Sequence, residues 1–144
     1  MTIKFKSARQ EPLTALLNLN FADPTTYGTA ENAIEVPQNA ILIGGGVTVV
    51  TAWNSATTAT LKLGDAADDD RYTSSAIDLK TAGYTPLTLT GYKHTVAEFL
   101  KALVAQTGAA ATAGDARLVV TYVVEGRACT AQGLDFRAVG VRGA

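Results

Sequence analysis

Apolar and polar side chains alternate with a period of two along most of this chain. In residues 41–53, ILIGGGVTVVTAW, the side chains of Ile41, Ile43, Val47, Val49 and Trp53 share one parity, and Thr48, Val50 and Ala52 take the other. Successive side chains of a strand point to opposite faces, so the pattern predicts a long strand with one richly apolar face. Its three glycines, Gly44 to Gly46, would cradle a phosphate only if a helix began behind them; the strand pattern resumes there, and a β-bulge is expected instead. Shorter runs repeat the alternation. Leu17, Leu19 and Phe21 share a face in residues 16–21, AIEV at 33–36 stops at Pro37, and Ala59, Leu61 and Leu63 alternate with Thr60 and Lys62 before Gly64. Residues 76–80 and 86–90 alternate on either side of a TAGY turn, and Leu118, Val120, Tyr122 and Val124 face away from Arg117, Thr121 and Glu125. Seven or more short strands divided by turn signals predict an antiparallel sandwich or barrel.

Residues 94–108, HTVAEFLKALVAQTG, fit two periods. Thr95 and Glu98 have the spacing of a capping box, and Val96, Phe99, Leu100, Leu103 and Val104 fall on one stripe of a helix. The competing reading starts a strand near Phe99 and turns through TGAAATAGD into the last strand.

A chain of 144 residues fits one domain with a sizeable core, and its abundance of Ala, Thr, Val and Gly with only 17% charged residues favours strands and turns over long helices. Cys129 and His94 are the sole cysteine and histidine, which excludes a disulfide framework or a Cys/His zinc site within one chain. Cys129 reads as a small, half-buried apolar residue. The 12 basic and 13 acidic side chains look scattered, so no basic stripe is expected to collect phosphates and no direct nucleic-acid partner is predicted. No apolar run reaches the roughly 18 residues of a membrane span, and the start MTIKFKSARQEP lacks a hydrophobic centre; a soluble protein with no membrane partner is expected.

The stretch LKLGDAADDDRY at 61–72 carries Asp65, Asp68, Asp69 and Asp70. Counting a calcium loop from Asp65 puts Asp70 where the sharp-turn glycine belongs and finds no glutamate at the twelfth position, so a solvated acidic loop with Arg71 as a surface partner is expected. Paired-carboxylate catalysis would need one acid buried, and a nucleophile would need His94 as base; His94 lies in the polar stretch GYKHT and reads as a surface residue. No enzyme activity, catalytic residue, metal site or cofactor is therefore predicted. Tyr27, Tyr72, Tyr84 and Tyr92 sit near predicted turns, where they either plug the ends of a sandwich or stack on a sugar.

The succession AIEVPQNAILIGGGVTVVTAWNSATTATLKLGDAADDDRYTSSAIDL, followed late in the chain by AATAGDARLVVTYVVEGRA, resembles the small cement or decoration proteins of tailed bacteriophages, such as that of a Bordetella phage. The resemblance spans about residues 16–130 and rests on turn and strand patterns. It implies an all-β jelly-roll sandwich; the local helical stripe leaves room for one short helix at 95–107, and the chain is expected to divide into an N-terminal arm (1–12) and a single domain (13–144). It also implies a homodimer on the exterior of the virion, made in the host cytoplasm, whose partner is the phage major capsid protein. It carries no active-site residues, and it favours the strand reading of residues 99–106. The termini are the expected clamps: Ile3 and Phe5 alternate with Lys4 and Lys6, Arg9 follows, and Arg137 and Arg142 lie in the tail. A receptor- or glycan-binding phage appendage is the alternative.

Overall fold

The computed structural model describes residues 10–126, which form eight strands and, among the described residues, no helix. In chain order these are β1 (Leu13–Asn20), β2 (Ala30–Val36), β3 (Ala40–Thr51), β4 (Thr58–Gly64), β5 (Ile77–Asp78), β6 (Gly83–Pro86), β7 (Glu98–Thr107) and β8 (Asp115–Val124). They make two four-stranded antiparallel sheets, ordered β1-β8-β3-β6 and β2-β7-β4-β5. First pairs with last: β1 with β8, β2 with β7, β3 with β6, β4 with β5. The chain is thus one long antiparallel hairpin with its tip at the β4–β5 connection. Rolling that hairpin lets β8 also pair with β3 and β7 with β4, which is the double Greek key of a jelly roll.

The alternating positions meet between the sheets. Leu42, Val47, Val49, Leu118 and Val120 of the first sheet pack against Ile34, Val36, Leu61, Leu63, Leu100 and Val104 of the second, all 7% exposed or less. At roughly 1.5 to 3 kcal/mol for each large apolar side chain removed from water, this layer supplies most of the driving force.

The ambiguous segment is strand β7. Leu100, Ala102 and Val104 turn inward, while Phe99 and, ahead of the strand, Val96 stay exposed. A helix would have gathered these apolar residues on one stripe, but β7 lies in the middle of its sheet, and its backbone serves both β2 and β4. Losing it would strand two ladders of hydrogen bonds, a larger cost than exposing two apolar side chains.

The bulge at the triple glycine is present, and it corrects the facing of β3. Register slips between Leu42 and Gly44, so Leu42 is buried while Ile41 is half-buried and Ile43 is exposed; inward facing passes to Val47 and Val49 beyond the bulge. One extra residue inverts every side chain on its far side. Gly45 has φ +131°, and a Cβ there would stand 2.2 Å from the Val119 carbonyl oxygen, so only glycine fits. Two strands are shorter than their patterns suggest: β5 keeps two residues, and residues 87–90 lie outside β6, although Leu79 and Leu87 remain buried. The TAGY segment crosses from one sheet to the other, which leaves little room for pairing on either side.

Candidate functional site

Because β1 starts beside the end of β8, the described chain enters and leaves at the same end of the sandwich. The connections between β2 and β3, β4 and β5, and β6 and β7 close that end, and a buried polar cluster lies beneath them. Asp65, just after β4, is 2% exposed. Its Oδ1 accepts the backbone N–H groups of Ala67 (3.0 Å) and Asp68 (2.9 Å), and its Oδ2 accepts the Arg71 Nε–H at 2.6 Å. This is an Asx turn closed by a guanidinium, and the two small alanines after Asp65 let the chain fold back over it. Arg71 in turn stacks over Tyr92, 3.7 Å from the ring centre.

His94, fully buried, joins the β6–β7 connection to this turn. Its Nδ1 lies 2.7 Å from Glu98 Oε2 and its Nε2 lies 2.8 Å from the Tyr72 hydroxyl. A carboxylate only accepts, so Nδ1–H donates to Glu98, and Nε2 shares a hydrogen bond with the Tyr72 hydroxyl. The Tyr92 ring meets the imidazole edge-on at 5.0 Å, and the His94 backbone pairs with Ala40 and Asn39. Burial alone would raise the Asp65 pKa, but the Arg71 hydrogen bond and the Asp68 and Ala67 N–H groups outweigh it and hold the carboxyl below its ordinary value. The Arg71 pKa is raised, chiefly by the same hydrogen bond, and burial raises that of Tyr72. Asp70 moves upward because the Asp68 carboxyl shares a hydrogen bond with it and the acidic neighbours repel.

Two expectations fail at this cluster. His94 is a core residue, and Asp65 belongs to a pair whose side chains are 16% and 1% exposed, unlike the surface pair expected for Arg71. The polar letters around both residues concealed this, because their partners are themselves polar. Asp68, Asp69 and Asp70 do face water. The ligand atoms of Asp65, His94 and Glu98 fall within 4.8 Å of one another, close enough for a metal, but Arg71 occupies the cation position at Asp65 and both imidazole nitrogens have protein partners. The cluster works as a staple that ties three connections together. Sequence reasoning could have found it from Asp65-Ala-Ala, an Asx-turn signal, followed by Arg71.

The tyrosines divide. Tyr72 is buried, Tyr92 is half-buried, and Tyr27 accepts the Trp53 Nε1–H (3.2 Å) and donates to the Phe21 carbonyl (2.5 Å), sealing the opposite end. Tyr84 alone of the four is exposed (63%), lying on the outer face of the first sheet over Gly46, with Leu16 (61%) and Ile43 (47%) on the same face.

Among the described residues, one flank of the sandwich is open. β1 and β2 are the edge strands there, and between them lies a cleft of ≈ 300 Å³ with Leu17, Leu19, Ala102 and Val104 as its apolar floor. A register shift in β2 between Asn32 and Ile34, with small Ala33 and Ala102 beneath, leaves the space unfilled. Asp23 and Glu31 stand at its rim, and Glu31 pairs with Ala102, a core-facing position. 

No family model matches the chain, and no curated protein matches it. Solved structures do. A chain of the cyanophage Pam1 capsid asymmetric unit superposes with a TM-score of 0.63 and 25% identity, over 86% of this chain and 92% of that one. The fold is one found in phage capsids. A chain of the Ralstonia phage GP4 capsid (TM-score 0.62, 16% identity, 89% of this chain and 92% of that chain) shares it. So does one from the acid-stable capsid of Helicobacter pylori bacteriophage KHP30 (0.57, 15%, 80% and 93%).

The residues expected to grip a capsid, Ile3, Lys4, Phe5, Lys6, Arg9, Arg137 and Arg142, lie outside the described residues, as does Cys129. Their charge still bears on the body. Six of the 12 basic side chains, but only Asp135 among the 13 acids, fall outside residues 10–126, so the described sandwich is acidic. The near-neutral total hid this segregation.

Proposed function

We propose that the chain is a cement protein of a tailed-phage head, of the kind carried by a Bordetella phage, binding the outer surface of the major capsid protein lattice and stabilising it. The observation that supports the reading is the cyanophage capsid chain, matched over 92% of its length by 86% of this one. A partner of similar size, filled by a single jelly roll, suits an accessory laid on a shell. The chemistry agrees: the buried Asp65 carboxylate is held by Arg71, the His94 imidazole by Glu98 and Tyr72, and the exposed Leu16, Ile43 and Tyr84 offer apolar contact on one sheet face. Resisting the outward pressure of packed DNA requires an interface above about 1,200 Å², repeated around the shell. Arg137 and Arg142, which follow the described residues in the chain, are proposed as contacts to the shell on their charge.

Adding the purified protein to heads that lack it tests the proposal. A cement protein saturates at hundreds of copies on the exterior, visible as cryo-electron density, and raises the temperature at which heads release DNA. Saturation at tens of copies, confined to one vertex or the tail, would establish the appendage reading in its place.

A further inference from the structure

The open flank points to a specific occupant. We infer that the cleft between β1 and β2 receives the N-terminal segment of a second copy of this chain, with Ile3 and Phe5 in the slot and Lys4 and Lys6 at its mouth against Asp23 and Glu31.

Three observations converge. The floor is apolar, and the inward Leu17 and Leu19 of β1 remain only half-buried, so the two sheets leave side chains uncovered along this edge. The rim is acidic. Glu31 sits at a core-facing position of an edge strand; its Oε2 accepts the Thr26 N–H and Asp23 Oδ2 accepts the Asn20 N–H, neutral donors that bring no cation, so the charge there discourages a neutral strand and admits one that carries a cation. Finally, residues 1–9, MTIKFKSAR, alternate apolar and cationic side chains, hold no acid, and at about 3.4 Å per residue extend roughly 30 Å, enough to lie along an eight-residue edge strand.

Folded back along its own β1, the segment does not bring Ile3 and Phe5 into the slot. Leu13 and Thr14 are already paired in β1, and the residue before Pro12 is held extended, so a reversal must finish ahead of Glu11. Even a two-residue turn at Arg9 and Gln10 would bring Ile3 only level with Leu16 and Phe5 level with Thr14. The slot begins at Leu17 and runs towards Asp23, at the far end of β1 from the point of entry. A second copy has no such limit, and reciprocal exchange closes a two-fold dimer.

The test uses the full chain in the absence of capsids, so it is decided independently of the cement reading. Phe5→Cys and Leu19→Cys are combined with Cys129→Ser and oxidised. A disulfide-linked dimer, reversible by reductant, is expected; a bond formed within one chain, or no bond, overturns the inference. Because Leu19→Cys thins the floor, a second variant leaves the sandwich untouched. Ile3→Asp with Phe5→Asp should weaken self-association at least about a hundredfold in sedimentation equilibrium with the melting profile of the monomer retained. Self-association unchanged by that pair also overturns it.

Discussion

Removing the Asp65 carboxylate should be among the costliest single changes on the loops of this fold. Asp65→Ala leaves the Arg71 guanidinium, 16% exposed, without its 2.6 Å partner and frees the Ala67 and Asp68 N–H groups. Breaking a buried pair from one side costs about 3 to 5 kcal/mol. Arg71 keeps Tyr92 beneath it and has Asp68 nearby, which places the expected loss at the low end, about 3 kcal/mol. For a domain of this size that is a fall in Tm of roughly 12 °C. Asp65→Asn keeps the Oδ1 acceptor and should lose less, about 2 kcal/mol. The pH dependence follows from the lowered Asp65 pKa. A carboxyl whose folded pKa is depressed contributes fully above its unfolded pKa, near 3.9, and loses the contribution as pH falls through the folded value. Thermal melts of wild type and Asp65→Asn, followed by circular dichroism from pH 7 to pH 2.5, should therefore differ most at neutral pH and converge below about pH 4. A gap that stays constant with pH, or an Asp65→Ala loss under about 1 kcal/mol, would refute the staple.

Other outcomes follow from the same geometry. His94→Ala strands the Tyr72 hydroxyl and the Glu98 carboxylate and should lower stability by about 2 to 4 kcal/mol in urea melts, whereas a surface histidine would cost under about 0.5. Gly45→Ala drives a Cβ onto the Val119 carbonyl at positive φ and should cost at least about 2 kcal/mol; Gly28→Ala, with φ +87° and open space around it, should cost less. A chelator should leave Tm unchanged, because Arg71 fills the place a cation would take beside Asp65; a fall on chelation would mean that a bound cation supports the loop.

The architecture was legible because sheets announce themselves by parity. Leu61 and Leu63, and Leu118 and Val120, alternate cleanly and are buried as their spacing requires. The errors cluster where one residue changes the count or where polar groups pair with each other. A bulge at Gly44 to Gly46 was foreseeable, but the register slips just ahead of the triplet, at Ile43, and that one-residue difference decides whether Ile43 or Leu42 is inside. His94 looked exposed because its neighbours are polar, yet its partners Tyr72 and Glu98 come from a turn 22 residues earlier and from the start of β7. Propensity misled at residues 96–104 for a related reason: the helical stripe was local, and the sheet that overruled it is assembled from distant segments.

The pairing of first strand with last also governs how this chain reaches its shape. Leu13 must find Tyr122, at the far end of the described chain, while the most local ladder, β4 with β5, holds only two pairs. Loop-closure entropy is spent early and rewarded late, so folding should run on the millisecond-to-second scale typical of non-local β topologies. A circular permutant opened among Asp68 to Asp70, with the adjacent ends of β1 and β8 tethered, would turn that most distant contact into a neighbouring one. The fold would be the same, but its assembly order would be reversed.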